Sequence, residues 1–514
     1  MPFPRSAPAD QGVSSRSIGA LLDWFEQRAV EGHSLMVVRH GHVVAEGWWA
    51  PYSAERPTLL YSVTKSFTSM AVGLVIADGL LSLDDRVVDV LPDHVPDDIS
   101  ERARRVTVHD LLSMTAGHGE DSLAEAWELS PGDLVAGFLR VPFGHDGFAY
   151  DNATTFVLAR MVERVSGRDL RELLDERLLR PMGIEHAEWD RVASGKAFGF
   201  HGLHLTTEAV AAFGELLLRG GRWGDRQLIP GEWVERATRP HSVRVPLEDD
   251  SASGYGYQIW IGEHGFYADG AFGQHCVVFP SLDLVVVVTS HSPEPWTTPN
   301  AIWDCLAPGI DHPDTPQDDA LLAARLRTLS FPLVEGAARA ASSPARAASS
   351  PARAVPSPAR AVPSPARAAS SPARAASTPA RAASSPARAV PSPARAAPSP
   401  AVVAAPDSAL PEGSTVRVEP VGGGWRLHLE SIGAVEVGHG AWRESAPLGR
   451  PVVASGAWQG DTFVAHLFVI TTPHWVRLVI DGDKATAIWS VVPLTKPDLA
   501  LHLRSPLMTR PDVA

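Results

Sequence analysis

Lysine is nearly absent from this 514-residue chain: Lys65, Lys196, Lys484 and Lys496 are the only four among 45 basic residues. Where charge alone is needed the protein uses Arg, which cannot be deprotonated, so a lysine kept at one place is a candidate for proton chemistry. Cysteine is scarcer still. Cys276 and Cys305 are too few for a disulfide framework and too scattered for a metal site, and both read as buried thiols. No apolar run approaches the ~18 residues of a membrane helix, and the opening MPFPRSAPADQGVSS lacks the basic-then-apolar pattern of a secretory leader. Together these predict a soluble, cytoplasmic protein with no membrane partner. A basic excess is missing too, and the formal charge of −14 argues against nucleic-acid binding.

Against that background the phrase YSVTKSFTS, starting at Tyr61, stands out. On a helix, Ser62 and Lys65 share one face at i and i+3, within hydrogen-bond reach. A desolvated amine can accept the proton of a serine hydroxyl, and the N–H groups at a helix N-terminus favour developing negative charge. Serine before a helix is also a common N-cap, so a purely structural role competes with the nucleophile reading. The following residues 66–81 place Phe67, Met70, Ala71, Leu74 and Val75 at helical spacing. That pattern predicts a helix buried against a core, with Ser62 at its mouth.

The chain is longer than one hydrophobic core usually spans, and its punctuation divides it. Residues 337–401 repeat a seven-residue unit, SPARAAS or SPARAVP, with nine arginines and no acid. Proline in every second turn breaks a helix, and with almost no large apolar side chain the array cannot offset its ordering entropy; it reads as a disordered, low-complexity linker. Before it, residues 1–312 read as one mixed α and β domain and residues 313–336 as a connecting helix. An amphipathic helix is expected over 18–30, a hairpin over 34–49 turning at Gly41 and His42, and a helix from Thr107 halted near Gly117. A further helix is expected over 152–166, with Gly167 just past its end. Strands are expected at 254–262, 266–280 and 284–289, the last (LVVVVT) buried on both faces. After the array, residues 402–514 alternate in strand fashion. Trp425, Leu427 and Leu429, then Val464, His466, Phe468 and Ile470, then Val476, Leu478 and Ile480 predict an antiparallel barrel or sandwich of about eight strands.

Four phrases taken together carry a family resemblance: YSVTKSFTS, VTVHDLLSMTAGH from Val106, the triplet Tyr150, Asp151 and Asn152 before a helix, and GGRW from Gly220 followed by LIPGEW. Over roughly residues 15–310 the chain resembles the serine hydrolases of the beta-lactamase and penicillin-binding-protein superfamily, in the class C-like branch that holds esterases and D-amino-acid peptidases. The resemblance implies an α+β fold, a five-stranded antiparallel sheet flanked by helices, with the S-x-x-K helix at the junction with an all-α region. It also implies that Tyr150 and Asn152 form the second motif, Y-x-N. A phenol beside a cationic lysine has its anion favoured, which suits Tyr150 to pass protons to and from Ser62 and the leaving group. Asn152 offers a donor and an acceptor for orienting Lys65 or a substrate carbonyl.

The third motif of the family is Lys or His, a small residue, then Gly. Here the best match is Ala268, Asp269 and Gly270, in which the cation that helps hold a substrate carboxylate is missing; a competing alignment runs through His264 and Gly265. Gly270 permits close backbone approach, and the N–H of Ala271 is placed to join that of Ser62 as an oxyanion hole. Histidines 118, 145, 201 and 204 show no helical metal spacing and read as solvated or loop residues. Trp48, Trp49, Trp223 and Trp260 read as packing residues, with one available to line an acyl pocket.

The expected function is a serine hydrolase forming an acyl-enzyme on small esters or amides, with weak or no beta-lactamase activity. Ser62, Lys65 and Tyr150 are the expected catalytic residues, and Asn152, Asp269, Gly270 and Ala271 the substrate-binding ones. No metal or cofactor is expected, the partner is a small-molecule ester or amide, and homo-oligomerisation is left open. The competing reading is a non-catalytic penicillin-recognising or scaffold protein with a beta-lactamase-like cleft.

Overall fold

A computed structural model describes residues 3–192, 194–243, 252–338, 402–404 and 408–505. Beyond Ala338, the array read as a disordered linker lies outside the described residues. No helix among the described residues is long and apolar enough to cross a membrane.

The N-terminal part is built on one antiparallel sheet. Its strands are β1 (Glu31–Arg39), β2 (His42–Trp48), β3 (Ser242–Val243), β4 (Ala252–Tyr255), β5 (Trp260–Gly262), β6 (Phe266–Gly270), β7 (Gln274–Phe279) and β8 (Leu284–His291), in the order β2-β1-β8-β7-β6-β5-β4-β3. The first hairpin turns at His40 and Gly41, whose φ angles of 52° and 71° are the left-handed pair that matches strand twist. β8 lies between β1 and β7 and is buried along nearly its whole length, as its unbroken valine run requires. The sheet has eight strands rather than five because the segments 254–262 and 266–280 each fold into two and Ser242–Val243 adds an edge strand. A Cβ at Gly256 would sit 2.1 Å from the Ala237 carbonyl, and Gln258 takes a positive φ of 62°, so the chain reverses there.

Helices cover both faces. On one side α1 (Ser15–Gln27), α6 (Thr298–Leu306) and α7 (Pro316–Arg327) pack on Leu35, Val37, Val286 and Val288. On the other, α2 (Val63–Ala77), α4 (Asn152–Ser166) and α5 (Thr207–Leu218) share a core with Met36, Val285 and Val287, and α3 (Val108–Leu112) packs there too. α2 begins three residues before the apolar run suggested, and every residue from Val63 to Val75 is buried. Such a helix is held on all sides, and stacking of Phe67 on Phe213 at 3.9 Å ties it to α5. α3 opens with a capping box between Thr107 and Asp110, and α4 ends on Gly167 at a φ of 65°.

The C-terminal part is a curled sheet of nine strands: β9 (Val402–Ala404), β10 (Thr415–Val421), β11 (Gly424–Leu429), β12 (Gly433–Gly438), β13 (Arg443–Ser445), β14 (Val452–Gln459), β15 (Thr462–Phe468), β16 (Trp475–Asp481) and β17 (Lys484–Trp489). A bridge from Gly438 to Ser455 links β12 to β14 and closes the curl, and β9 pairs in parallel with β17. Trp425, Leu427 and Leu429 face its interior as expected. On β15 the faces are the reverse of the expectation. Phe463, Ala465 and Leu467 fill the barrel, whereas Val464 and Phe468 point outward against Val334, Tyr52 and Phe331. Both faces of that strand are apolar because the outer one is covered, so alternation could not say which is inside.

Candidate active site

Ser62 occupies the N-cap position of α2 but does not cap it. Its backbone is α-like (φ −71°, ψ −8°), and its side chain accepts no bond from the helix N–H groups. Instead its Oγ lies 2.9 Å from Lys65 Nζ, with the Tyr150 hydroxyl also beside it. The capping role therefore falls away, and the serine side chain is free for chemistry.

Lys65 is 1% exposed, and its Nζ also reaches Asn152 Oδ1 at 2.6 Å and the Phe200 carbonyl at 3.2 Å. Burial pulls this ammonium down to about 7, against the opposing pull of Asp121, Asp151 and Asp269. A neutral amine keeps two N–H groups, which match the acceptor-only oxygens of Asn152 and Phe200. Its lone pair is then left for the Ser62 hydroxyl.

Tyr150 stacks on Trp260 with ring centres 5.5 Å apart, and Lys65 Nζ sits 4.8 Å from the Tyr150 ring centre. The idea that Lys65 favours a phenolate does not hold. Burial, with Asp269 and Asp121 nearby, pushes this phenol up, so it stays protonated and can donate. Asn152 is engaged at both ends. Besides accepting from Lys65, its Nδ2 donates to Asp121 Oδ2 at 2.6 Å, and its backbone N–H donates to Asp121 Oδ1 at 3.0 Å. Asn152 thus orients Lys65.

Ala268, Asp269 and Gly270 lie at the end of β6, beside the approach to Ser62. A Cβ on Gly270 would fall 2.2 Å from the Leu60 carbonyl, so only glycine lets the strand meet the segment leading into α2. Ala268 is buried; Asp269 is about a third exposed, with Oδ1 3.1 Å from His275 Nδ1. The N–H groups of Ser62 and Ala271, both on partly exposed residues, donate to no other protein group among the described residues. His264 and Gly265 lie in the turn at the opposite end of β6, about 16 Å away at the usual strand rise, where His264 stacks on Trp303. Of the two alignments, it is the one through Ala268 that the fold brings beside the start of α2.

Several neighbours escaped the sequence. Asp121 carries no motif, and the Phe200 carbonyl carries no side-chain signal at all. His118, His201 and His204 are buried rather than solvated: His118 Nδ1 is 2.9 Å from Asp151 Oδ2, and His204 is 3.2 Å from both Asp190 and Arg450. Among the described residues no group of side chains is arranged to hold a metal ion.

Residues 16–303 match the Beta-lactamase family. The chain is 26% identical over 333 residues to the 6-aminohexanoate-dimer hydrolase of Paenarthrobacter ureafaciens, covering 59% of this chain and 84% of that one. It is 30% identical over 208 residues to esterase EstB of Burkholderia gladioli, covering 34% and 53% respectively. Its fold is similar to the solved structure of a Bacillus anthracis protein described as a candidate 6-aminohexanoate-dimer hydrolase, at 20% identity and a TM-score of 0.50, over 61% of this chain and 87% of that one. With the match running from α1 through α6 and so across the Ser62 helix, the Tyr150 segment and the whole sheet, the chain belongs to the Beta-lactamase family.

Proposed function

We propose that the protein is a serine hydrolase that forms an acyl-enzyme at Ser62 on small esters or amides, with weak or no beta-lactamase activity. One observation carries this reading: Ser62 ignores its helix and faces a buried lysine held near neutrality at 2.9 Å. Neutral Lys65 takes the Ser62 proton as Oγ attacks the carbonyl carbon. The N–H groups of Ser62 and Ala271 stabilise the oxyanion. As the tetrahedral intermediate collapses, Tyr150 donates its proton to the departing oxygen or nitrogen, and the proton that Lys65 took from Ser62 passes from its ammonium to Tyr150. Water then attacks the acyl-enzyme by the same relay in reverse order, restoring Ser62.

The substrate class follows from position 268. Ala268 offers no cation for a substrate carboxylate, and the partly exposed Asp269 repels one. The name of one relative, esterase EstB, suits this class. We assign the catalytic unit to residues 1–312, the connection to 313–336, the linker to 337–401 and the barrel to 402–514, and place the enzyme in the cytoplasm, where its two free thiols would stay reduced. The test is labelling with a fluorophosphonate probe and peptide mapping, alongside turnover of a short p-nitrophenyl ester and a chromogenic cephalosporin. The expected label is on Ser62, with ester turnover exceeding cephalosporin turnover by orders of magnitude. A label elsewhere, or efficient cephalosporin hydrolysis, sinks the reading.

A further inference from the structure

The residues next to the two unpaired N–H donors share an unusual backbone. Tyr61, just before Ser62, has a φ of 49°, and Phe272, just after Ala271, has a φ of 71°. Bulky side chains avoid this left-handed region, so each must be held there by its surroundings. Both are held by one side chain from the far end of the chain. His474, in the loop between β15 and β16, accepts a hydrogen bond from the Tyr61 hydroxyl through Nε2. Its ring also meets Phe272 edge-on at 5.0 Å, and Tyr61 meets Phe272 at 5.1 Å.

The histidine is itself fixed. It is 1% exposed, and its Nδ1 is 3.1 Å from the Val491 carbonyl. A carbonyl only accepts, so Nδ1 carries the hydrogen and Nε2 presents its lone pair to Tyr61. The same loop anchors the approach to α2, because Leu59 N–H donates to the Thr471 carbonyl at 2.8 Å and Tyr52 donates to the Thr472 carbonyl at 3.0 Å. Nothing in this arrangement touches the reacting atoms.

We infer that His474 of the barrel is a positioning residue for catalysis in the N-terminal part, aligning the Ser62 and Ala271 N–H groups by clamping Tyr61 and Phe272 in their left-handed conformations. The inference rests on the proposed roles of Ser62 and Ala271. It deepens them: the oxyanion hole is completed by a segment more than 400 residues away in sequence, roughly the 412 between Ser62 and His474. Geometry errors of about 1 Å at such donors cost on the order of 10²-fold in rate.

The test uses the full chain and steady-state hydrolysis of a p-nitrophenyl ester. Tyr61→Phe keeps the ring and loses only the hydroxyl; His474→Leu removes the acceptor and the ring edge; His474→Gln restores an acceptor oxygen. Tyr61→Phe and His474→Leu should each lower kcat about ten- to hundredfold with KM within about twofold. The double variant should be no slower than the slower single one, and His474→Gln should recover most of the loss. Thermal unfolding and sizing of each variant check the fold, and should His474→Leu fail to fold, Tyr61→Phe decides alone. Unchanged kcat in Tyr61→Phe, a change confined to KM, or strictly additive losses would overturn the inference while leaving Ser62 as nucleophile. Activity that survived Ser62→Ala would overturn the underlying reading and this inference together.

Discussion

The open eight-stranded sheet and the closed nine-stranded barrel are both rich in Val, Leu and Ile, yet only the open sheet runs up against the helix that carries Ser62 and Lys65. In the barrel the strands pair around the curl, so its backbone N–H groups are largely consumed by the ladder. In the N-terminal part β6 ends against the start of α2, and two N–H groups are left without a protein acceptor among the described residues where strand and helix meet. The oxyanion hole proposed above therefore lies at a junction, where neither ladder nor helix claims the donors. The barrel puts its polar side chains elsewhere. Arg450, Thr471, Thr472 and His474 are all buried, and Arg450, His474 and the loop carbonyls meet partners in the N-terminal part. On the function proposed, one assembly supplies the chemistry and the other supports it.

That division can be broken most sharply at Ser62. Ser62→Ala should abolish ester hydrolysis, and Lys65→Arg should be nearly as severe because Arg keeps the charge and loses the basicity. Steady-state rates against a folded control check both, and a Lys65→Arg enzyme with most of its kcat would remove the base role. Next comes Tyr150→Phe, which should lower kcat by about 10²–10⁴. Because this phenol is held protonated, the loss should be greater for poor leaving groups than for p-nitrophenolate. Equal losses would argue against proton donation to the leaving group.

A smaller effect is expected at the interface. Arg450 is 2% exposed, pairs with the wholly buried Asp190, and also meets His204 at 3.2 Å. Burial opposes ionisation of Asp190, yet His204 and Arg450 hold its carboxyl well below the usual range. Arg450→Met alone should destabilise the chain by about 3–5 kcal/mol in urea denaturation, by removing the guanidinium from the buried Asp190 carboxylate. Combining it with Asp190→Leu should recover most of that loss, and a double variant as weak as the single one would show that packing rather than charge holds the parts together. The sign with pH is set by Asp190: the pair's contribution is present at neutral pH and is lost only in strong acid, as pH falls toward the depressed folded value.

The mildest test is the pH dependence of rate. Lys65 acts as a base only when neutral, so kcat/KM should rise through a midpoint of about 7 and fall about tenfold per unit below it. Asp121→Asn removes one of the carboxylates that raise this amine, and should shift the midpoint downward. A midpoint that stayed put or moved upward would separate Asp121 from the Lys65 field.

Much of this could be read from the chain because it depends on local spacing. Ser62 and Lys65 are one helical turn apart, the Tyr150 triplet directly precedes a helix that does run Asn152–Ser166, and the valine run of β8 can only be a strand covered on both faces. The strand count and the inner face of β15 were not legible. Both depend on what lies outside the segment: the Ala237 carbonyl behind Gly256, and the aromatic cover supplied by Tyr52 and Phe331.

By itself, then, the sequence put Ser62 and Lys65 one helical turn apart in a chain nearly devoid of lysine, and a family resemblance singled out Tyr150. Only the tertiary structure decided their state. Burial drew Lys65 toward neutrality and kept Tyr150 protonated, Asp121 and the Phe200 carbonyl fixed the amine, and a histidine from the opposite end of the chain reached the backbone beside the nucleophile. Proton affinity depends on the surrounding dielectric and charges, and those exist only once distant segments are packed together.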